Sequence, residues 1–216
     1  MSPDAYTPPL AHVEGRLTRE AFLARTALAA GAAYGIGAVA PLVREALAKN
    51  QDRQEAVGDL NVLNFALTLA LVAQSLFNQA RDRARLGGRD RAIVDEIARD
   101  ENAHVSRLRA TISGLRGAPA ASPEPDFGNA AGRRGSFLAV AETVENASVF
   151  ALNTLVPQTS SKEVRLQLAA IAQVDARHSA LISLIRGGNP APKAFEDTLT
   201  VPQARERLAP YVPIFR

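Results

Sequence analysis

The sequence contains no cysteine and no tryptophan among its 216 residues, and only 5% of the residues are aromatic. Without cysteine, the protein has no disulfide, no thiolate ligand for a metal and no cysteine nucleophile. The net charge of +3 comes from arginines spread along amphipathic segments. Nucleic-acid-binding proteins usually carry a dense basic stripe with aromatic residues for base stacking. We therefore expect no nucleic-acid partner.

Acidic residues are missing from one long part of the chain, between Asp59 and Asp82. Residues 60–80, LNVLNFALTLALVAQSLFNQA, carry no charge and are long enough to span a membrane. The run nevertheless contains five amide side chains and continues directly into the charged sequence RDRAR. Because amide groups are costly in lipid, the pattern favours a helix buried in a protein core over a membrane span.

Residues 1–50 form a leader whose second half resembles an export signal. Three arginines precede an uncharged stretch rich in alanine and glycine at residues 26–43. The segment TREAFLA resembles a twin-arginine signal, but Glu20 replaces the second arginine. The alternative is an alanine-rich helix packed on the domain. The sequence leaves both interpretations open. It therefore also leaves open whether residues 26–43 anchor the protein in a membrane, and whether the protein is located in the cell envelope or in the cytoplasm.

Four stretches with helical periodicity follow the leader, each about 22–34 residues long. They cover residues 52–85, 90–115, 135–156 and 160–187. Short turns join the first to the second and the third to the fourth. Between the second and third lies RGAPAASPEPDFGNAAGRR, which is too rich in proline and glycine to be helical. This segment can reach about 60 Å, whereas a helix of this size measures about 36 Å.

These lengths predict an all-α fold. A four-helix bundle with one long crossover between helices 2 and 3 has the connectivity of ferritin-like folds. The bundle is predicted over residues 51–188. The proline-rich residues 189–216 are predicted to form an extended tail that lies over the bundle, with one short helix near residues 202–208.

Two of the three histidines stand three residues after an acid within a predicted helix. The pairs are Glu101 with His104 on helix 2, and Asp175 with His178 on helix 4. Positions i and i+3 share a helix face, so each carboxylate and imidazole point to one place. Iron, manganese and zinc bind such mixed oxygen and nitrogen ligands. His12, in the leader, has no such partner.

Helix 3 adds a candidate acid in the sequence ETVENASVF. Glu145 stands among apolar residues, where an acid without a partner is costly. We therefore expect a metal ion or a histidine beside it. Glu142, one turn earlier on the same face, is the reserve candidate, and a solvated helix edge is the alternative for both residues.

At these positions the chain resembles the bacterial and plant ferritin-like family that includes desiccation-related proteins, over residues 58–186. The matching segments are DLNVLNFALTL, ENAHVSRLRA, FLAVAETVENASV and IAQVDARHSALI. The resemblance implies a four-helix ferritin-like fold and, in typical members, a dimetal site. Carried over by position, the implied ligands are Glu101, His104, Glu145, Asp175 and His178.

Helix 1 lacks the acid that a dimetal site takes from it. In the second hairpin, the acids Glu145 and Asp175 are 30 residues apart. The same spacing in the first hairpin would place an acid 30 residues before Glu101, where the chain has Leu71. Family members have Glu-Tyr-Leu-Glu here, where this chain has Ala-Leu-Val-Ala from Ala70. Gln74 is the nearest oxygen donor, and it is neutral. We therefore expect a degenerate site that holds at most one divalent iron, manganese or zinc ion.

Two functions follow. One is a ferritin-like protein with a reduced metal site that serves in iron handling or in oxidative or desiccation stress. The other is a structural or envelope bundle that binds no metal. Enzymatic turnover is not favoured, and the oligomeric state stays open.

Overall fold

The computed structural model describes residues 39–216, with side chains from residue 54 onward except at residues 56 and 57. The chain divides into two compact units, residues 1–52 and residues 53–216. The bundle lies in the second unit. The predicted signal or anchor at residues 26–43 and His12 lie outside the residues whose side chains the structure describes.

Five α-helices make up the described part of the chain, which contains no strand. They are α1 (Val39–Arg83), α2 (Gly88–Gly114), α3 (Arg134–Leu155), α4 (Lys162–Ile185) and α5 (Val201–Leu208). The bounds of α2, α3 and α4 agree with the predicted ones to within two residues. The predicted start of helix 1 near residue 52 is wrong. No glycine or proline interrupts residues 42–57, and Pro41 stands in the first turn of α1, where its missing N–H is tolerated.

Contacts at the two ends of the bundle define its topology. At one end, Asp59 of α1 accepts hydrogen bonds from the backbone N–H groups of Ser160 and Ser161, both at 2.8 Å, where α4 begins. At the other end, Arg134 at the start of α3 pairs with Asp90 at the start of α2. The same arginine donates to the carbonyl of Ile185 at the end of α4. Helices α1 and α4 therefore run one way, and α2 and α3 run the other.

The predicted crossover between helices 2 and 3 is confirmed. Its first residues lie against Asn64, whose amide donates to the carbonyl of Ala118 and accepts from the N–H of Ala120. Its last residues lead into Arg134 at the opposite end of the bundle. The loop therefore travels the length of the helices and lets two antiparallel hairpins pack together.

The C-terminal tail lies on the bundle, and the predicted short helix is confirmed as α5. A capping box between Thr200 and Gln203 starts this helix. The N–H of Leu199 donates to the carbonyl of Phe150 on α3. Leu208 and Val212 are fully buried in the same apolar cluster as α1 and α3.

The uncharged run at residues 60–80 forms the centre of the core. Leu63, Leu67, Leu76 and Phe77 have no exposed surface, and the ring of Phe77 meets that of Phe137 edge to face at 5.7 Å. By length and composition alone, the stretches Gly58–Arg83 and Lys162–Ile185 are apolar enough to cross a membrane. Core helices of a bundle share these properties, and the apolar window is 61% buried in the first stretch and 33% buried in the second.

Candidate metal centre

All five residues predicted from the sequence lie together in the middle of the bundle. Helix α2 contributes Glu101 and His104, α4 contributes Asp175 and His178, and α3 contributes Glu145. His104 is 11% exposed, and the other four are at most 3% exposed. We refer to these five residues as the acid–histidine cluster.

Helical periodicity explains why these polar side chains are buried. On α2, Glu101 continues a buried stripe that includes Ile97 and Leu108. On α4, Asp175 and His178 continue the stripe of Leu168. Residues at these spacings face the same side of a helix. The apolar stripes therefore set the rotation of the helices and carry the polar groups inward.

The imidazoles and carboxylates of the cluster converge and lie at ion-pair distance from one another. Nδ1 of His104 lies 3.3 Å from Oε1 of Glu101 and 3.4 Å from Oδ1 of Asp175. Nδ1 of His178 lies 3.4 Å from Oε1 of Glu101 and 3.6 Å from Oε2 of Glu145. Neighbouring ligands of one metal ion are about 3.0–3.5 Å apart when each bond is near 2.1 Å. Three of the four observed distances fall in this range, and the distance to Glu145 is slightly longer.

Six buried atoms of the cluster have no hydrogen-bond partner among the described residues. They are Oε1 of Glu101, Nδ1 of His104, both carboxyl oxygens of Glu145, Oδ1 of Asp175 and Nδ1 of His178. Buried polar atoms in native proteins are almost always satisfied. One donor atom from each of Glu101, Glu145, Asp175 and His178 lies within 4.8 Å of the other three. The donor set therefore fits a metal ion.

Two further residues that the sequence analysis did not single out hold the cluster in place. The carboxylate of Asp100 lies 3.1 Å from Nε2 of His178, and the hydroxyl of Ser148 donates to Oδ2 of Asp175 at 2.9 Å. A carboxylate on Nε2 fixes the proton there and leaves Nδ1 free to bind a metal. The signal for Asp100 was its position directly before Glu101, and no comparable signal marks Ser148.

Burial and mutual charge shift the pKa values of the cluster. Burial, reinforced by the charge of Glu101, raises the pKa of Glu145 well above 4.5 and that of Asp175 to about 7. Burial opposes the charged form of His178, but Glu101 and Glu145 outweigh it and raise its pKa to about 11. The pKa of His104 is also raised, by Glu101 and Asp175, against the effect of burial. Burial likewise opposes ionisation of Glu101, yet the two imidazoles lower its pKa.

Helix α1 presents no acid to the cluster. Ala70 and Leu71, where the spacing placed the missing ligand, are buried in an apolar part of the core. The side chain of Gln74, the oxygen donor expected nearest, uses its amide nitrogen to donate to Asn102 at 2.8 Å. The reserve candidate Glu142 lies outside the cluster and pairs with Arg186.

The sequence and the architecture agree with one known family. No curated protein matches the chain by sequence. Residues 58–188, well over half of the chain, match the ferritin-like domain. This span contains the four long bundle segments, the crossover and all five residues of the acid–histidine cluster. The chain therefore belongs to the ferritin-like domain family.

Proposed function

We propose that the protein binds one divalent metal ion through Glu101, His104, Glu145, Asp175 and His178. The site is a degenerate form of a dimetal site, and the protein serves in iron handling or in protection against oxidative or desiccation stress. The observation that carries the proposal is the convergence of one donor atom from each of Glu101, Glu145, Asp175 and His178 within 4.8 Å of one another. Six buried atoms of the cluster lack a hydrogen bond among the described residues, and His104 adds its Nδ1 beside Glu101 and Asp175.

The spacing of the donor atoms supports one ion rather than two. The ligand shell of a single ion is about 4–5 Å across, and four donor atoms lie within 4.8 Å of one another. Two ions about 3.5–4 Å apart need a longer cluster. Charge supports the same conclusion, since three carboxylates balance one dication and one proton, whereas two dications leave an excess positive charge in a dry core.

A mixture of carboxylate and imidazole ligands suits iron, manganese or zinc. Bound there, the ion would act as a Lewis acid or, if it is iron or manganese, as a redox centre. The protein's own residues exclude bulk water, orient the two imidazoles and keep the carboxylates apart. Five protein ligands leave little room for a substrate, because catalytic metal sites keep an open position. Metal retention therefore fits the site better than turnover does.

Metal analysis of protein purified without a chelating tag tests the proposal. We expect about one equivalent of metal per chain, lost in His178→Ala and retained in Glu142→Ala. The control removes an acid of α3 that lies outside the cluster and pairs with Arg186. Two equivalents would contradict the single-ion site. Sub-stoichiometric metal that is unchanged in His178→Ala and His104→Ala would overturn metal binding and leave the structural bundle as the function.

A further inference from the structure

The two histidines of the cluster are held differently. His178 is 3% exposed, and the carboxylate of Asp100 holds its Nε2. His104 is 11% exposed, and its Nε2 has no hydrogen-bond partner in the part of the chain that the structure describes. The sequence accounts for this difference. On α2 the residue directly before Glu101 is the acid Asp100, whereas on α4 the residue directly before Asp175 is the apolar Val174. The ring of His104 is therefore the less constrained of the two.

A surface cavity of about 480 Å³ lies beside this ring, between α2 and α4. Its walls include His104 and Arg107 from α2, and Glu163, Gln167, Ala170 and Val174 from α4. We refer to it as the α2–α4 slot. Three other cavities between described residues have no residue of the acid–histidine cluster in their walls. The slot therefore connects the surface with the most exposed member of the cluster.

We propose that the α2–α4 slot is the port through which a hydrated divalent cation reaches the cluster, with His104 passing the ion inward. This inference rests on the proposed function. The walls of the slot also contain Glu163 and Arg107, whose charges are opposite. The imidazole of His104 is the first member of the cluster that an ion in the slot meets, and its Nδ1 lies 3.3 Å from Glu101 and 3.4 Å from Asp175. Passage from His104 to these carboxylates replaces water ligands of the ion with protein ligands.

The burial of the other four residues argues against other routes. Glu101, Glu145, Asp175 and His178 are each at most 3% exposed, so an ion that meets one of them first requires the helices to separate. Rotation of one imidazole ring whose Nε2 no carboxylate holds is a much smaller movement. A port affects the rates of uptake and release together, because the equilibrium constant depends only on the free and bound states.

The helix α4 offers a matched pair of variants. Ala170 is exposed and lines the slot, so Ala170→Phe fills it without disturbing the core. Ala169, its neighbour, lines a different groove, between α4 and α3. Stopped-flow mixing with Co²⁺, followed by its visible absorption, gives both rate constants. We expect Ala170→Phe to slow association and dissociation by about tenfold each with an unchanged Kd. Ala169→Phe should leave both rates near those of the unmodified protein.

A second variant tests the role of His104 without blocking the slot. Val174→Asp places a carboxylate beside His104, as Asp100 stands beside His178, and should slow the release of Co²⁺ because the ring is then held. If both Ala170→Phe and Val174→Asp still bind Co²⁺ with unchanged rates, the port is contradicted and the proposed metal site is not. Failure of the unmodified protein to bind Co²⁺ at all would overturn the proposed function and the port with it.

Discussion

Replacement of Glu145 by leucine separates a metal site from a structural polar network, because the two predict stability changes of opposite sign. Glu145 is 1% exposed, and neither of its carboxyl oxygens has a hydrogen-bond partner among the described residues. Burial, reinforced by the charge of Glu101, raises its pKa well above 4.5, so the metal-free protein opposes its ionisation. A buried polar group without partners costs about 1–3 kcal/mol.

Leucine is similar in size to glutamate and has no polar atoms to satisfy. We therefore expect Glu145→Leu to raise the free energy of unfolding of the metal-free protein by about 1–3 kcal/mol. For a domain of this size, that change corresponds to an increase in Tm of about 2–4 °C for each kcal/mol. Urea unfolding at pH 7 in the presence of a chelator measures the effect. Glu142→Leu is the control, since it breaks only a partly exposed ion pair with Arg186 and should change stability by about 0.5 kcal/mol or less.

Added metal should reverse the order of stability, so that the unmodified protein becomes more stable than Glu145→Leu. A ligand at a hundred times its Kd stabilises the native state by about 2.7 kcal/mol, and only the protein that retains Glu145 should gain this stability in full. The opposite result would refute the reasoning. If the cluster is a network whose members satisfy one another, removal of one partner should destabilise the metal-free protein by about 3–5 kcal/mol.

Three further predictions concern neighbouring features. Asp100→Asn should lower metal affinity about 10–100-fold, measured by competition with a chelator, because the amide holds the His178 ring less firmly; an unchanged affinity would remove Asp100 from the site. The pKa is raised to about 11 for His178, to about 7 for Asp175 and well above 4.5 for Glu145. Metal binding therefore displaces protons from the cluster, so affinity should rise with pH, and calorimetry in buffers of different ionisation enthalpy should detect the released protons. A pH-independent affinity would contradict this. Asp59→Ala should destabilise the protein by about 1–3 kcal/mol in urea unfolding, because two partly buried N–H groups at the start of α4 lose the charged acceptor that they share, while Asp59→Asn should lose less.

The three later bundle helices were predictable because strong local signals mark their ends. Ser161 caps α4, and Gly187, with a φ of +83°, follows its end. The start of α1 carries no such signal. The uncharged stretch at residues 26–43 suggested that helix 1 begins only after it. The backbone is nevertheless helical from Val39 onward, because nothing between Pro41 and Gly58 stops the helix.

The contacts of the candidate site likewise divide into those that the sequence predicts and those that it does not. Glu101 and His104 followed from spacing, because a helix brings positions i and i+3 to one face. The partner of Asp100 could not be read from spacing, since it depends on how α2 and α4 are rotated against each other. The contact of Gln74 with Asn102 could not be read from spacing for the same reason. Each residue turns a helix by about 100°, so a side chain one turn from the expected ligand position can face a different neighbour.

The burial of Leu208 and Val212 against the bundle has a consequence for synthesis on the ribosome. A nascent chain that has released only the four long segments still exposes the apolar surface of α3 around Phe150, which the tail covers in the finished protein. Exposed apolar surface on unfinished chains promotes aggregation and chaperone binding. Chains that stop before Leu199 should therefore be recognised as incomplete by cellular quality control, even though they already contain all five residues of the acid–histidine cluster.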